Sequence, residues 1–226
     1  MALTDKLSAI GNAIRAKTGG TDMLTLEQMP TAIASIQTGS GESFWDEDTA
    51  TGVITRDIYS LNLPSGLTKI GGYAFMNCGM LHLSSLPNSI TEIGAHAFDS
   101  CFFLTLTSLP TSLTKIYISA FERCSRLNIT ALPNGVTTIG ERAFYDCDSI
   151  KTMQIPESVA EIGAEAFRNC SALTTVTFKG TPSSIGKYVF SNCSKLTDIY
   201  VPWAEGAVSG AHWGATNATI HYNTTT

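Results

Sequence analysis

Apolar and polar positions recur along the chain with a period of 23 residues. Five columns of like residues keep this step without an insertion, four of them over six turns and the proline column over five, which indicates an internal repeat. The aromatic column consists of Phe75, Phe98, Phe121, Phe144, Phe167 and Phe190. The cysteine column, three residues later, consists of Cys78, Cys101, Cys124, Cys147, Cys170 and Cys193. Isoleucine, proline and leucine columns complete the frame, which predicts a stack of similar coils.

The residue pattern predicts that each repeat forms one strand followed by a turn. In the unit that begins at Ile150, Met153 and Ile155 alternate with polar residues as in a strand with one buried face, and Pro156 ends that strand. The spacing of Ala, Phe and Cys within residues 163–170 predicts a single short helical turn. One such unit cannot bury its own apolar face, so the coils are expected to stack in parallel about 4.8 Å apart.

The first three coils place one apolar residue differently from the later coils. Leu83, Leu106 and Ile129 lie two residues after the leucine of the frame, whereas later coils place this residue three positions after it. Two interpretations follow from the sequence. Either the first coils are shifted in register so that these side chains still point inward, or they carry an exposed apolar patch.

The glycine column has one exception. Tyr117 occupies the position of Gly71, Gly94, Gly140, Gly163 and Gly186. A tyrosine would be strained at positive φ, so we expect negative φ throughout this column. The glycines would then serve close packing between coils, and Tyr117 would project outward.

The two ends of the chain depart from the repeat. Apolar residues on one helical face and a capping box predict a helical hairpin over residues 1–37. Residues 38–57 are predicted to form a linker and an N-terminal cap, and residues 203–226 a C-terminal cap that covers the last coil. The candidate C-terminal cap side chains are Trp203, Trp213, Ile220 and Tyr222.

The repeat resembles the bacterial leucine-rich repeat of the BspA-like, or Treponema, type. The segment VAEIGAEAFRNCSALTTVTF, residues 159–178, carries the likeness, which extends over residues 58–202. The resemblance implies an α/β leucine-rich-repeat solenoid of parallel stacked coils with a 23-residue period, preceded here by the N-terminal helical hairpin. It also implies a non-enzymatic protein of the cell-surface or secreted adhesive kind.

A second resemblance concerns the ends. Residues 3–36 and 201–223 are similar to segments of tail-associated structural proteins from phages and prophages of Gram-positive bacteria. This implies that the hairpin attaches the chain to other virion proteins and that the solenoid is a receptor-facing arm. No export signal is seen at the N-terminus. The expected location is therefore a virion assembled in the host cytoplasm, or the cell surface if a leader was removed.

Composition and charge exclude several classes of partner. Net charge is −5 without a basic block, which argues against nucleic acid. Uncharged stretches are interrupted by Gly, Pro and Ser, so membrane insertion is not expected. Apolar residues make up 43% of the chain, which is enough for a dry core.

The sequence offers little catalytic or metal-binding chemistry. The cysteines lack a C-x-x-C pair and a neighbouring histidine, so we predict reduced, buried thiols. The columns of His82 and His96 are mixed and polar, which predicts a solvent-exposed face. The acidic run at 46–48 could bind Ca²⁺ but lacks EF-hand spacing and is better explained as a solvated turn. No cofactor, metal site or enzyme activity is predicted.

Four apolar residues stand out as a candidate interface. Met76, Met80, Phe102 and Phe103 fall in columns that are otherwise mostly polar, and stacking brings them together near the N-terminal third. An exposed cluster of this kind usually marks an interface. The alternatives are that the hairpin folds back over it or that the coils repack locally.

Three functions compete at this stage. The first is a binding or adhesion module that recognises a protein or cell-surface glycan receptor, as a phage tail arm or a bacterial adhesin. The second is a structural spacer that binds nothing. The third, a carbohydrate-active enzyme, is disfavoured because no pair of acids converges. Self-association into a homo-oligomer remains open.

Overall fold

The computed structural model describes Leu63, residues 65–210 and residues 212–224. The predicted hairpin at 1–37, the linker and cap at 38–57 and the acidic run at 46–48 lie outside the described residues. The described part contains ten strands and one 3-10 segment, His212–Gly214. The strands are β1 Lys69–Ile70, β2 Glu92–Ile93, β3 Lys115–Ile116, β4 Thr138–Ile139, β5 Thr152–Ile155, β6 Glu161–Ile162, β7 Thr175–Phe178, β8 Ser184–Ile185, β9 Asp198–Tyr200 and β10 Thr219–His221.

The strands form two parallel sheets along a solenoid of about seven turns. One sheet has the order β1-β2-β3-β4-β6-β8, and the other has the order β10-β9-β7-β5. Partners along the first sheet are one repeat apart, as Ile70 pairs with Ile93 and Ile93 with Ile116. The prediction of parallel stacked coils is confirmed.

The core lies between the sheets and the turn segments and is built from the repeat columns. All six phenylalanines of the aromatic column are buried, and their rings stack on one another from coil to coil. Ring centroids are 5.0 Å apart between Phe144 and Phe167 and 5.8 Å apart between Phe167 and Phe190. Because every coil adds the same rings at the same place, one continuous apolar column runs through the solenoid.

The prediction of a short helical turn before each cysteine is wrong. In the segment 163–170, Glu165 and Asn169 have φ of 57° and 63°, which a right-handed helix does not allow. Every coil repeats this arrangement, and no α-helix occurs in the part of the chain that the structure describes. The left-handed residues are Tyr73, His96, Ser119, Arg142, Glu165 and Tyr188, and Asn77, Ser100, Arg123, Asp146, Asn169 and Asn192.

Hydrogen bonds between coils take the place of helical ones in this turn segment. The N–H groups of Arg142, Phe144 and Asp146 donate to carbonyls of the next coil at 3.0, 2.8 and 3.0 Å. Successive bonds form a continuous row: Tyr73 N–H donates to Ala95, and the following residue, His96, donates to Ile118. Three such rows run along the solenoid, so the stacking itself satisfies the peptide groups.

The register question of the first coils is settled in favour of an inward shift. Leu83, Leu106 and Ile129 are buried, as are Met153 and its counterparts in later coils. The next buried residue of the second coil is Leu109, three residues beyond Leu106, so the period-2 alternation of a strand is broken. The second sheet therefore begins only at β5, apart from a single bridge between coils three and four.

The glycine column serves close packing, as predicted. Neither its glycines nor Tyr117 has positive φ, and Tyr117 is 40% exposed. A Cβ on Gly140 would lie 2.4 Å from the carbonyl carbon of Tyr117. At Tyr117 itself the N–H lies 3.1 Å from the Ile93 carbonyl, against 2.8 Å for the equivalent bond of Gly140. The side chain at this one position thus coincides with a longer contact between coils.

Aromatic side chains close the C-terminal end of the core. Trp203 and Trp213 are buried, while Ile220 and Tyr222 are half-buried. The Trp203 ring packs edge-on against Phe178, with centroids 5.1 Å apart. The Phe190 N–H donates to the Trp213 carbonyl at 3.0 Å, which continues one hydrogen-bond row into the terminal segment.

Candidate interaction surface

The cysteine column is apolar and chemically quiet. All six thiols are buried and unpaired, which confirms the prediction of burial. Five of them donate through Sγ to a phenylalanine carbonyl of the preceding coil, as Cys124 does to Phe98 at 3.1 Å. Burial raises the pKa of the Cys78 thiol to about 11 and that of Cys124 well above its ordinary value. Such thiols are poor nucleophiles and poor metal ligands.

A buried group of charges lies in the turn segments of coils two to four. Asp99 and Glu122 are only 4% and 3% exposed. His96 Nδ1 lies 3.0 Å from Asp99, while Arg123 and Arg142 lie 3.4 and 3.3 Å from Glu122. The prediction that the His96 column is solvent-exposed is wrong at Ser119, which is buried, and Asp99 and Glu122 are buried in the mostly polar column of Met76.

These groups could in principle hold a cation. One ligand atom each from His96, Asp99 and Glu122 lie within 4.8 Å of one another. The two carboxylates already face the two arginines, however, so the charges nearly cancel without an ion. The geometry favours an ion-pair network that ties adjacent coils together. The sequence repeat does not predict this ion-pair network. A repeat column shows which residue types share one position, but it does not show which charged residue of the next coil will be the partner.

The four candidate interface residues differ in exposure. Met76 is 38% exposed and Phe102 is 45% exposed, whereas Met80 and Phe103 are half-buried. Phe102 rests on Gly79, because a Cβ at that glycine would lie 3.1 Å from the ring. Met76 occupies the same repeat position as Asp99 and Glu122. This position precedes the cysteine of each coil, whereas that of Phe102 follows it.

Phe103 is enclosed by its neighbours in the coils before and after it. Its ring centroid lies 5.3 Å from that of His82, at an angle of 45°. The guanidinium carbon of Arg126 lies 4.0 Å above the same ring. Local packing therefore covers much of Phe103, while Phe102 stays open to solvent.

Three further apolar side chains of the first coils are exposed but are not among the four candidate interface residues. Tyr73 stacks on His96 with centroids 5.0 Å apart and remains exposed. Tyr117 and Ile118 are exposed where other coils carry small or charged residues. The exposure of Tyr117 agrees with the prediction that its side chain projects outward.

One further histidine site lies at the C-terminal edge of the second sheet. His221 Nε2 lies 2.8 Å from Asp198 Oδ1, and its ring stacks on Tyr200 with centroids 4.5 Å apart. The hydrogen bond to His221, assisted by one from Thr197, holds the pKa of Asp198 below its usual value. Since β10 is the edge strand, these contacts fasten it to β9.

The repeat matches a known family over most of the chain. Six copies of the BspA type leucine rich repeat region match residues 55–170 and 127–205. The chain belongs to this family. BspA-type proteins are generally non-enzymatic binding proteins. No helix among the described residues is long and apolar enough to cross a membrane.

Two solved structures are similar to the BspA-type solenoid. A leucine rich cell surface protein from Faecalibacterium prausnitzii is 32% identical with a TM-score of 0.57, and the match covers 63% of this chain and 38% of that protein. The leucine rich repeat protein of T. pallidum is 34% identical with a TM-score of 0.56, and the match covers 64% of this chain and 70% of that one. The chain thus spans well under half of the Faecalibacterium protein. No curated protein matches the sequence.

Proposed function

We propose that this BspA-type chain is a non-enzymatic adhesion module that binds a receptor through its first three coils. One observation carries the proposal. Of the six large apolar side chains that are exposed in the described residues, five lie between residues 73 and 118 and only Tyr188 lies elsewhere. Those five are Tyr73, Met76, Phe102, Tyr117 and Ile118. Exposed apolar side chains gathered in one region are typical of binding surfaces.

Two settings for this function are supported by different observations. The likeness to a leucine rich cell surface protein at 32% identity supports a bacterial surface adhesin. The resemblance of residues 3–36 and 201–223 to phage tail segments supports a receptor-binding arm of a virion, with residues 1–37 as its attachment segment. Deletion of residues 1–37 distinguishes the surface adhesin from the virion arm. The virion setting requires loss of assembly with tail proteins while receptor binding by the solenoid is kept.

Binding of the full chain to intact bacterial and host cells, and to protein and glycan arrays, tests the adhesion function. Phe102→Ser removes an exposed ring and places there the residue that coils three, five and six carry as Ser125, Ser171 and Ser194. We expect binding to fall at least about fivefold, as for the loss of one aromatic contact at an interface. Tyr188→Asn is the matched control, because it removes an exposed ring from the sixth coil and asparagine tolerates its positive φ.

The structural spacer gives the opposite results. A spacer binds no cell and no array, and Phe102→Ser then changes nothing. Equal losses from Phe102→Ser and Tyr188→Asn would also contradict the proposal, since the binding would then not be confined to the first coils.

A further inference from the structure

Arg126 differs from the other arginines of the described residues. Arg123, Arg142 and Arg168 each lie within 3.4 Å of a carboxylate oxygen. Arg126 is exposed and forms no ion pair with any residue that the structure describes. Its guanidinium instead lies on the ring of Phe103, 4.0 Å from the centroid. A positive charge is thus held in a defined place without a counter-charge among the described residues.

The support beneath this guanidinium is firm. Phe103 is half-buried, its N–H donates to the Gly79 carbonyl at 3.2 Å, and His82 packs against its ring. A guanidinium on an aromatic ring keeps its N–H groups directed outward in its own plane. Such a group is suited to a carboxylate, which it can bind through two parallel hydrogen bonds.

Phe102 provides a flat apolar surface and is next in sequence to Phe103, whose ring carries this cation. Its ring lies against the backbone at Gly79. Gly79 and Phe102 occupy the same position of the repeat, which the other coils fill with polar residues: Ser125, Asp148, Ser171 and Ser194. Because Gly79 has no side chain, the Phe102 ring can pack against the first coil. With 45% of the residue exposed, the ring is accessible to a ligand that has an apolar face of its own.

We propose that Phe102, Phe103 and Arg126 form a binding site for an acidic saccharide. The sugar carboxylate pairs with Arg126, and the C–H face of the sugar ring stacks on Phe102. This assignment rests on the proposed adhesion function, because it names the ligand class of the same surface.

Charge and shape favour this ligand class. The other described arginines are already paired with carboxylates, so Arg126 is the described arginine that is open to an anion. One planar cation held on Phe103 and one exposed ring at the adjacent Phe102 match a sugar ring that carries one carboxylate. Asn128 adds an exposed amide in the His82 column, where a sugar hydroxyl can bind.

Fluorescence anisotropy with the full chain and a labelled galacturonic acid oligomer tests the site. Two further probes separate charge from sugar: the methyl ester of the oligomer, which lacks the charge, and an oligoglutamate of equal charge, which lacks the ring. We expect the acidic sugar to bind at least about tenfold more tightly than the methyl ester, which lacks the charge-assisted pair, and about fivefold more tightly than oligoglutamate, which lacks the stacking.

Variants then assign the contacts. Arg126→Gln is expected to weaken binding of the acidic oligomer at least about tenfold, and Phe102→Ser about fivefold through the loss of stacking. Arg168→Gln is the matched control, since it removes an arginine that is already paired with Glu165, and it should leave binding unchanged.

Three results would overturn the site. These are equal affinity for oligoglutamate, which indicates an acidic peptide ligand, equal binding by Arg126→Gln, or no binding of the acidic oligomer. If Phe102 is still needed for attachment to cells and the acidic oligomer does not compete, the saccharide assignment fails while the adhesion function stands. If Phe102→Ser leaves cell attachment unchanged, the adhesion function fails as well.

Discussion

Cysteine is suited to its column because it is small, apolar and still a hydrogen-bond donor. In the third coil the Phe121 carbonyl accepts the Cys124 N–H at 3.2 Å and the Sγ of Cys147 at 3.1 Å. Each phenylalanine carbonyl of this kind therefore joins its own coil to the next. Alanine would keep the packing but lose the donor.

The buried thiols predict a loss of stability in alkali. Burial raises the pKa of Cys124, so the unfolded chain releases that proton first. The contribution of the thiol is complete below an unfolded pKa of about 8.5 and is lost as pH rises toward the folded value, by about 1.4 kcal/mol per pH unit. Urea unfolding in a reductant between pH 8 and 10 should show this fall, and Cys124→Ala should make the slope shallower by the same amount.

Labelling provides an independent check of the same burial. A thiol reagent should modify fewer than one of the six cysteines in the native chain and all six after denaturation. Rapid native labelling of several thiols, or identical alkaline slopes for the wild type and Cys124→Ala, would contradict the buried column.

Glycine at position 140 is required by the distance between coils. A Cβ there would lie 2.4 Å from the Tyr117 carbonyl carbon and 2.5 Å from the Ile118 nitrogen, so the backbone would have to move. Gly140→Ala is therefore expected to cost about 1–3 kcal/mol of unfolding free energy, as for overpacking. Gly66→Ala is the control, because nothing lies within 4 Å of its added Cβ, and it should be neutral. Equal effects in urea unfolding would refute the packing argument.

Among the secondary-structure elements, the sequence predicts the strands in which buried and exposed side chains alternate. The strands β5 and β7 follow from period-2 spacing, and their burial agrees with it. The turn segment could not be predicted, because Ala166, Phe167 and Cys170 have a spacing that fits a helical turn as well as a left-handed one. Only hydrogen bonds to the next coil decide between them. The burial of Asp99 could not be predicted for a similar reason, since its partner Arg123 belongs to another coil.

The register of the third coil offers a test of that alternation. Ile129→Thr with Thr130→Val moves the buried residue to the position that Met153 has in the fourth coil. Because Gln154 already bonds to Thr130 and Leu132, we expect a further strand to pair with β5. Hydrogen exchange of residues 129–132 should slow, with a change in stability within about 1 kcal/mol.

Asn128→Thr serves as the control for this double change, because it raises strand propensity without moving the buried residue. If the double variant loses much of its stability and gains no protection, the register is set by the neighbouring coils and not by the local pattern.

The whole solenoid depends on its ends, since each coil contacts only its neighbours and the last coil would otherwise expose the core. Trp213 covers that end at 4% exposure. Trp213→Ala is expected to cost about 3–5 kcal/mol, as for large-to-small changes in a core. Thermal unfolding and sedimentation should show a lower Tm together with self-association through the uncovered end.

Tyr188→Asn again provides the comparison, because it removes an exposed aromatic ring from the last complete coil without uncovering the core. A Trp213→Ala variant as stable and monomeric as Tyr188→Asn would show that this residue does not protect the end.

The three rows of hydrogen bonds in the turn segments give that side of the solenoid an electrical direction. Each peptide group in a row points its carbonyl toward the preceding coil and its N–H toward the next, as the group between Ala143 and Phe144 does. Dipoles of about 3.5 D therefore align as in an α-helix, and by the same reasoning each row ends in roughly half an elementary charge. The positive ends of these three rows lie at the last coil and the negative ends at the first, whereas the rows through Thr114 and Gly140 donate to the preceding coil and oppose them. Because end charges do not depend on length, added 23-residue coils would extend the solenoid without altering the potential at either end.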